Sequence, residues 1–138
     1  MAGLPNVALL GEKPYQELPH YLYAFDVCII PFKLPELIKA TNPVKVYEYL
    51  CSGKPVVATR LPELELIGPP LVYVAKSRRE FPRLIEEALN ERNVTSLARK
   101  RVAYAQKNSW EARGEHYSDL LRAAFPKVSI VVLCYNNL

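Results

Sequence analysis

Apolar residues in this chain fall into two kinds of run. Some are short and continuous: "VALLG" (7–11), "DVCIIPF" (26–32), "PVVAT" (55–59) and "LVYVA" (71–75). Each is bounded by Gly, Pro or charge and is too short for a helix, so each predicts a strand buried on both faces. Others recur with helical spacing. In "YQELPHYLYAF", Tyr15, Leu18, Leu22 and Phe25 share a face, and Pro19 restricts the segment to a short or irregular helix. Asn42 can cap a helix with Pro43 at its first position, running to Ser52 and leaving through Gly53. Ser77 and Glu80 form a capping box for a helix over 78–91, with Phe81, Leu84, Ile85, Ala88 and Leu89 on one face. Val94, Leu97, Ala98, Val102 and Ala105 line the next helix. Ser109 caps a third, which turns Trp110, Tyr117, Leu120, Leu121 and Ala124 inward. "KLPELIKAT" carries no strong period and predicts a loop, and "RLPELELIGPP" predicts another.

Wholly apolar strands that alternate with helices predict an α/β chain: a Rossmann-like parallel sheet with helices on both faces, followed by C-terminal helices. Four strands make a thin sheet of this kind, so further strands are expected upstream. The closing "KVSIVVLCYNNL" does not continue the helical tail. It reads as a fresh apolar strand of the type that opens a domain. The expected division is one body over 1–125, then a linker and the first strand of a second body over 126–138.

The 138 residues, half of them hydrophobic, suffice for one domain with a real core. No apolar run reaches the roughly 18 residues of a membrane helix, and the N-terminus lacks a signal peptide's pattern. The expected place is the cytoplasm, with peripheral contact at the inner face of the membrane as an allowed variant. The formal charge is +4, and the basic residues are scattered. The local clusters "KSRRE" and "ARKRVAY" read as solvated helix faces, and no nucleic-acid partner is expected. Cys28, Cys51 and Cys134 have no metal-ligand spacing and read as buried free thiols. His20 and His116 have no partner at zinc spacing. No metal site is expected.

The densest chemistry lies in "NPVKVYEYLCSGKPVVAT" (42–59). A loop that leads into a helix N-terminus beside a parallel sheet is a common ligand position, and the helix end favours an anion. Lys45 adds a positive charge in the first turn. Glu48, three residues on, shares its face and suits the hydroxyls of a ribose better than a phosphate. Together these would suit a nucleoside diphosphate. Spacing alone leaves open a plainer reading, an exposed Lys–Glu pair with Asn42 as a cap only. "SGK" (52–54) is not a P-loop, because it lacks the earlier Gly and carries Pro55 where Ser or Thr belongs.

"LPNVALLGEKPYQELPHYLYAFDVCIIPF" followed by this stretch resembles the C-terminal, donor-binding half of glycosyltransferases with the two-Rossmann-domain (GT-B) fold. The likeness is to the group 1, or family 4, type of bacterial polysaccharide synthesis, and covers about residues 4–122. It implies a nucleotide-sugar substrate, a UDP- or GDP-sugar, and no cofactor. It implies donor binding by Gly11, Glu12, Lys13 and Tyr15, with that turn near the base. It also implies donor binding by Thr41, Asn42, Pro43, Val44, Lys45 and Glu48. Asn42 and Lys45 would lie by the pyrophosphate and Glu48 by the ribose, and Lys45 and Glu48 would be the catalytic pair. Trp110 matches the helix that crosses toward the N-terminal domain in that family. One feature departs from the pattern. Many retaining members carry two glutamates eight positions apart, the first contacting the sugar; counting back from Glu48, Ala40 stands where that first glutamate would be.

The tail "VSIVVLCYNNL" resembles the opening strand of a family 2 glycosyltransferase of the single-domain (GT-A) type. None of that family's metal-binding aspartates is present. The implied partners are therefore a preceding GT-B domain and a following GT-A domain in one parent chain. The acceptor and any base would come from outside this segment, which is expected to be inactive alone. A GT-B-fold nucleotide-sugar epimerase and a non-catalytic α/β interaction module remain as alternatives.

Overall fold

The computed structural model describes residues 4–33, 38 and 40–125. Its elements are helix α1 (Leu18–Ala24, entered through a 3-10 turn at Tyr15–Glu17), strand β1 (Cys28–Ile30), α2 (Lys45–Cys51) and β2 (Val56–Thr59). After these come α3 (Pro62–Ile67), β3 (Val72–Ala75), α4 (Glu80–Glu91), α5 (Thr95–Lys107) and α6 (Trp110–Ala124). The three strands are parallel, in the order β1-β2-β3, with Cys28, Val56 and Val72 in register. This is the expected α/β architecture.

The sheet is apolar on both faces because helices cover both. Cys28, Ile30, Val56, Ala58 and Val72 point to one side and pack with Val46 and Leu50 of α2, Leu61 and Leu64 at α3, and Ala105 of α5. Val57, Tyr73 and Ala75 point to the other and pack with Leu84 and Ala88 of α4, with Phe81 and Ile85 beside them. The period of two along each strand thus sorts alternate residues into two separate cores. Thr59 Oγ1 donates to the Ile30 carbonyl at 3.3 Å, a further tie between β2 and β1.

Several expectations are corrected. "VALLG" is not a strand: Val7, Leu9 and Leu10 are exposed coil, and Gly11, at φ +68°, lies in coil with no turn formed there. Apolarity calls for a neighbour to pair with, and among the described residues that segment has none. The "RLPELELIGPP" segment holds a helix, α3, because Pro62 falls in the first turn where proline is tolerated, and Leu61 and Leu64 bury. Helix α2 begins at Lys45, later than expected, with Val44 at its cap and no side chain capping it. Asn42 is not the cap; its amide is engaged by Tyr47 instead. The inward face expected for α6 is exposed, with Trp110 at 76% and Tyr117 at 65% of full accessibility. Cys51 is exposed while Cys28 is buried.

The Ser109 cap is as expected, its Oγ accepting the Ala112 N–H at 3.2 Å. Ser77 Oγ likewise accepts the Glu80 N–H at 3.2 Å, and the Glu80 carboxylate accepts the Lys76 N–H at 2.8 Å. Within "ARKRVAY", Arg101 is buried, not solvated. It donates to the Pro70 carbonyl at 2.9 Å and to Glu91 at 3.1 Å, tying α5 to α4 and to the loop before β3. Burial, then the neighbouring Glu91, pushes the Tyr73 hydroxyl far above its usual range, so it stays protonated. The strand expected over 126–138, with Cys134, lies outside the described residues. Among the described residues no helix is long and apolar enough to cross a membrane.

Candidate functional site

Helix α2 is built to present two faces. Val46 and Leu50, four apart, anchor it in the core. Val44, Tyr47, Glu48 and Cys51 form the stripe that a helix makes at spacings of three and four, and this stripe is one wall of an open groove. Its exit is tight. Gly53 has φ +75°, and a Cβ there would stand 3.2 Å from the Ala98 side chain, so α2 and α5 meet closely at that point.

The groove has a cavity volume of about 790 Å³. Tyr15 and the α1 residues Leu18, Pro19, Leu22 and Tyr23 form a second, apolar wall. Ala105, Gln106, Asn108, Ser109, Trp110 and Arg113, where α5 gives way to α6, form the third. Its chemistry is therefore mixed: a broad apolar and aromatic surface with a few polar groups, a common composition for a site that holds an organic ligand.

A polar network crosses one end. Asn42 Nδ2 donates to the Tyr47 hydroxyl at 3.3 Å, and Arg113 Nη2 donates to the same oxygen at 2.8 Å. Arg113 also reaches Asn108 Oδ1 at 3.4 Å, while Asn108 Nδ2 donates to the Tyr104 carbonyl at 2.9 Å. The Tyr47 ring stacks on Tyr104, with centroids 6.5 Å apart and planes 3° from parallel. The guanidinium carbon of Arg113 lies 4.9 Å from the Tyr47 ring centre. Burial raises the Tyr104 hydroxyl above its ordinary value, Tyr47 adds to this, and the Arg113 charge opposes it.

Of the residues expected at a site, Tyr15, Asn42, Val44 and Glu48 line this groove together. Lys45 is exposed and Pro43 is buried, both outside the lining. Thr41 is half-buried; Gly11, Glu12 and Lys13 lie outside the lining, with the Lys13 ammonium 6.0 Å from the Tyr21 ring. The first turn of α2 offers fewer outward donors than its sequence suggests. The Val46 and Tyr47 N–H groups are bonded at 3.0 Å to the carbonyls of Pro43 and Val44. Tyr47, Asn108 and Arg113 were not among the expected residues. Arg113 reaches Tyr47 across 66 positions of chain, and nothing local in sequence announces that meeting.

Residues 1–91 match the family model for group 1 glycosyl transferases, well over half of the 138-residue chain. The chain belongs to the group 1 glycosyl transferases. A Bacillus subtilis (strain 168) protein, TuaH, named for glycosyl transfer in teichuronic acid biosynthesis, is 41% identical over 70 residues. Those residues are 51% of this chain and 18% of that relative, so the chain spans under a fifth of that protein's length. No solved structure matches. The matched stretch takes in α1, α2 and the sheet, hence two of the three groove walls. The third wall, with Asn108, Trp110 and Arg113, lies beyond it.

Proposed function

We propose that this groove holds the nucleoside diphosphate part of a sugar donor, a UDP- or GDP-sugar, for glycosyl transfer. The observation that carries the reading is the convergence of Glu48, Asn42 and Tyr15 on one groove of ligand size in a chain of this family. Glu48, half-buried on the α2 stripe, accepts hydrogen bonds from ribose hydroxyls. Asn42 and Lys45 stand on the diphosphate side, and the aromatic wall with Tyr15 takes the base. As the sugar–phosphate bond breaks, negative charge builds on the departing diphosphate, and a fixed positive group stabilises it. The product class we propose is a polysaccharide or glycoconjugate; the relative is named for teichuronic acid biosynthesis.

Titration calorimetry of the chain with UDP and with GDP tests this. The wild type is expected to bind at least one of them, and Lys45→Ala to weaken that binding by less than roughly tenfold, because Lys45 is exposed and its charge is screened. Glu48→Gln is expected to weaken the nucleoside diphosphate but not inorganic pyrophosphate. Failure of the wild type to bind either nucleotide sinks the reading.

A further inference from the structure

Arg113 is half-buried in the groove, and among the described residues it has no carboxylate partner. The groups that hold it are neutral oxygens. Nη2 donates to Tyr47 Oη at 2.8 Å and to Asn108 Oδ1 at 3.4 Å. Asn108 cannot turn away, because its own amide N–H is spent on the Tyr104 carbonyl. These contacts orient the guanidinium without neutralising it. A guanidinium has five N–H donors. Those on Nε and Nη1 have no protein acceptor among the described residues.

Tyr47 shows the same excess of donors. Its oxygen accepts from both Arg113 and Asn42, which fills its acceptor capacity and leaves the hydroxyl proton unspent. Asn42 Nδ2 also keeps a second N–H. Three side chains, from the loop before α2, from α2 and from α6, therefore bring unspent donors and one full charge to the same end of the groove. The complement of such a surface is an oxyanion with several acceptors.

We propose that Arg113, oriented by Tyr47 and Asn108 and joined by Asn42, binds the diphosphate of the donor. The nucleoside half of this assignment rests on the reading of the groove given above; the anion half rests on the donor count alone. It also orders the ligand. The Glu48 carboxylate repels phosphate, so the phosphates lie toward Arg113 and the ribose toward Glu48. The positioned cation of the groove is then Arg113, while Lys45, exposed and outside the lining, acts as a screened accessory.

The experiment titrates the wild type, Arg113→Ala, Arg113→Lys and Lys45→Ala with UDP, GDP, uridine and inorganic pyrophosphate. Arg113→Ala is expected to weaken both nucleotides and pyrophosphate by roughly tenfold to a hundredfold and to leave uridine unchanged. Arg113→Lys is expected to recover only part, since an ammonium cannot reproduce the planar fork, and Lys45→Ala to lose less than Arg113→Ala. Should Arg113→Ala fail to fold, wild-type protein treated with phenylglyoxal, an arginine reagent, gives a second measurement. Pyrophosphate is expected to protect the peptide that contains Arg113. Unchanged pyrophosphate affinity in a folded Arg113→Ala, an equal loss for uridine, or no protection overturns the assignment. Nucleotide binding that ignores Arg113 leaves the groove reading standing. Arg113-dependent pyrophosphate binding with no gain from the nucleoside keeps this inference and removes that reading. No binding of any of the phosphates removes both.

Discussion

Helices α4 and α6 carry apolar residues in the same register and meet opposite fates. In α4, Phe81, Leu84, Ile85 and Ala88 stand at the first, fourth, fifth and eighth places of a stripe, and the sheet residues Val57, Tyr73 and Ala75 cover them. In α6, Tyr117, Leu120, Leu121 and Ala124 repeat that spacing, yet all four are exposed, Leu120 at 51%. The strands make the same contrast. Val56 and Val57 of β2 are fully buried, while Leu9 in the equally apolar "VALLG" is 69% exposed. A periodic apolar pattern states that a segment has a face to bury. It does not state that the burying partner is nearby in the chain.

The largest expected effect separates the two helices directly. Leu84→Ala removes buried carbon from a filled core and should cost roughly 2–5 kcal/mol of stability. Leu120→Ala on the exposed stripe should stay within about 0.5 kcal/mol. Urea unfolding of both variants measures this. A comparable loss for Leu120→Ala would mean that something covers α6 in solution.

The contrast marks which parts of the molecule are readable in the sequence. Wherever a segment's partners lie within the chain and its signal is local, the reading holds. Gly53 ends α2 in the left-handed conformation expected for it, the Ser77 and Ser109 hydroxyls accept the expected N–H groups, and β1, β2 and β3 fall inside three of the four apolar runs. Helix α3 was hidden because it is only 6 residues long, too short for a clear period, and Leu64 is buried only against the folded sheet. Arg101 was hidden because a basic cluster normally stays in water, and its burial depends on Glu91 and the Pro70 carbonyl, groups that only the fold brings near. At the groove, Glu48 and Asn42, which line it, were singled out through a local motif. Arg113 could not be, since its contact with Tyr47 exists only where α6 returns to α2.

A second, smaller effect probes the covered side through pH. Cys28 is buried on β1, and burial lifts its thiol from 9.0 to about 11, with the Lys54 charge pulling partly the other way. The folded state therefore retains the proton longer than the unfolded one. This stability is complete below pH 9, declines as the pH rises toward about 11, and is then gone. The slope is at most about 1.4 kcal/mol per pH unit. Cys28→Ala loses packing at every pH but has no thiol to ionise, so the gap between it and the wild type should narrow above pH 9. A constant gap from neutral to alkaline pH would show that the thiol is not buried as the fold places it.

Two glycines give the smallest effect and the sharpest sign. Gly53, on the covered side, has φ +75°, and a methyl there would stand 3.2 Å from the Ala98 Cβ where α2 ends against α5. Gly53→Ala should destabilise by about 1–2 kcal/mol, the cost of a left-handed conformation for a residue with a Cβ, with the contact adding to it. Gly114 lies in α6, and a Cβ built there meets nothing within 4 Å. Gly114→Ala gives up no contact and removes backbone freedom from the unfolded chain, so it should stabilise by about 0.5–1 kcal/mol. The same substitution thus carries opposite signs in the two regions, and thermal unfolding of the pair reads both. A loss of stability for Gly114→Ala would mean that the open side of α6 is occupied at that position, and the contrast between the two helices would then be one of partner identity, not of exposure.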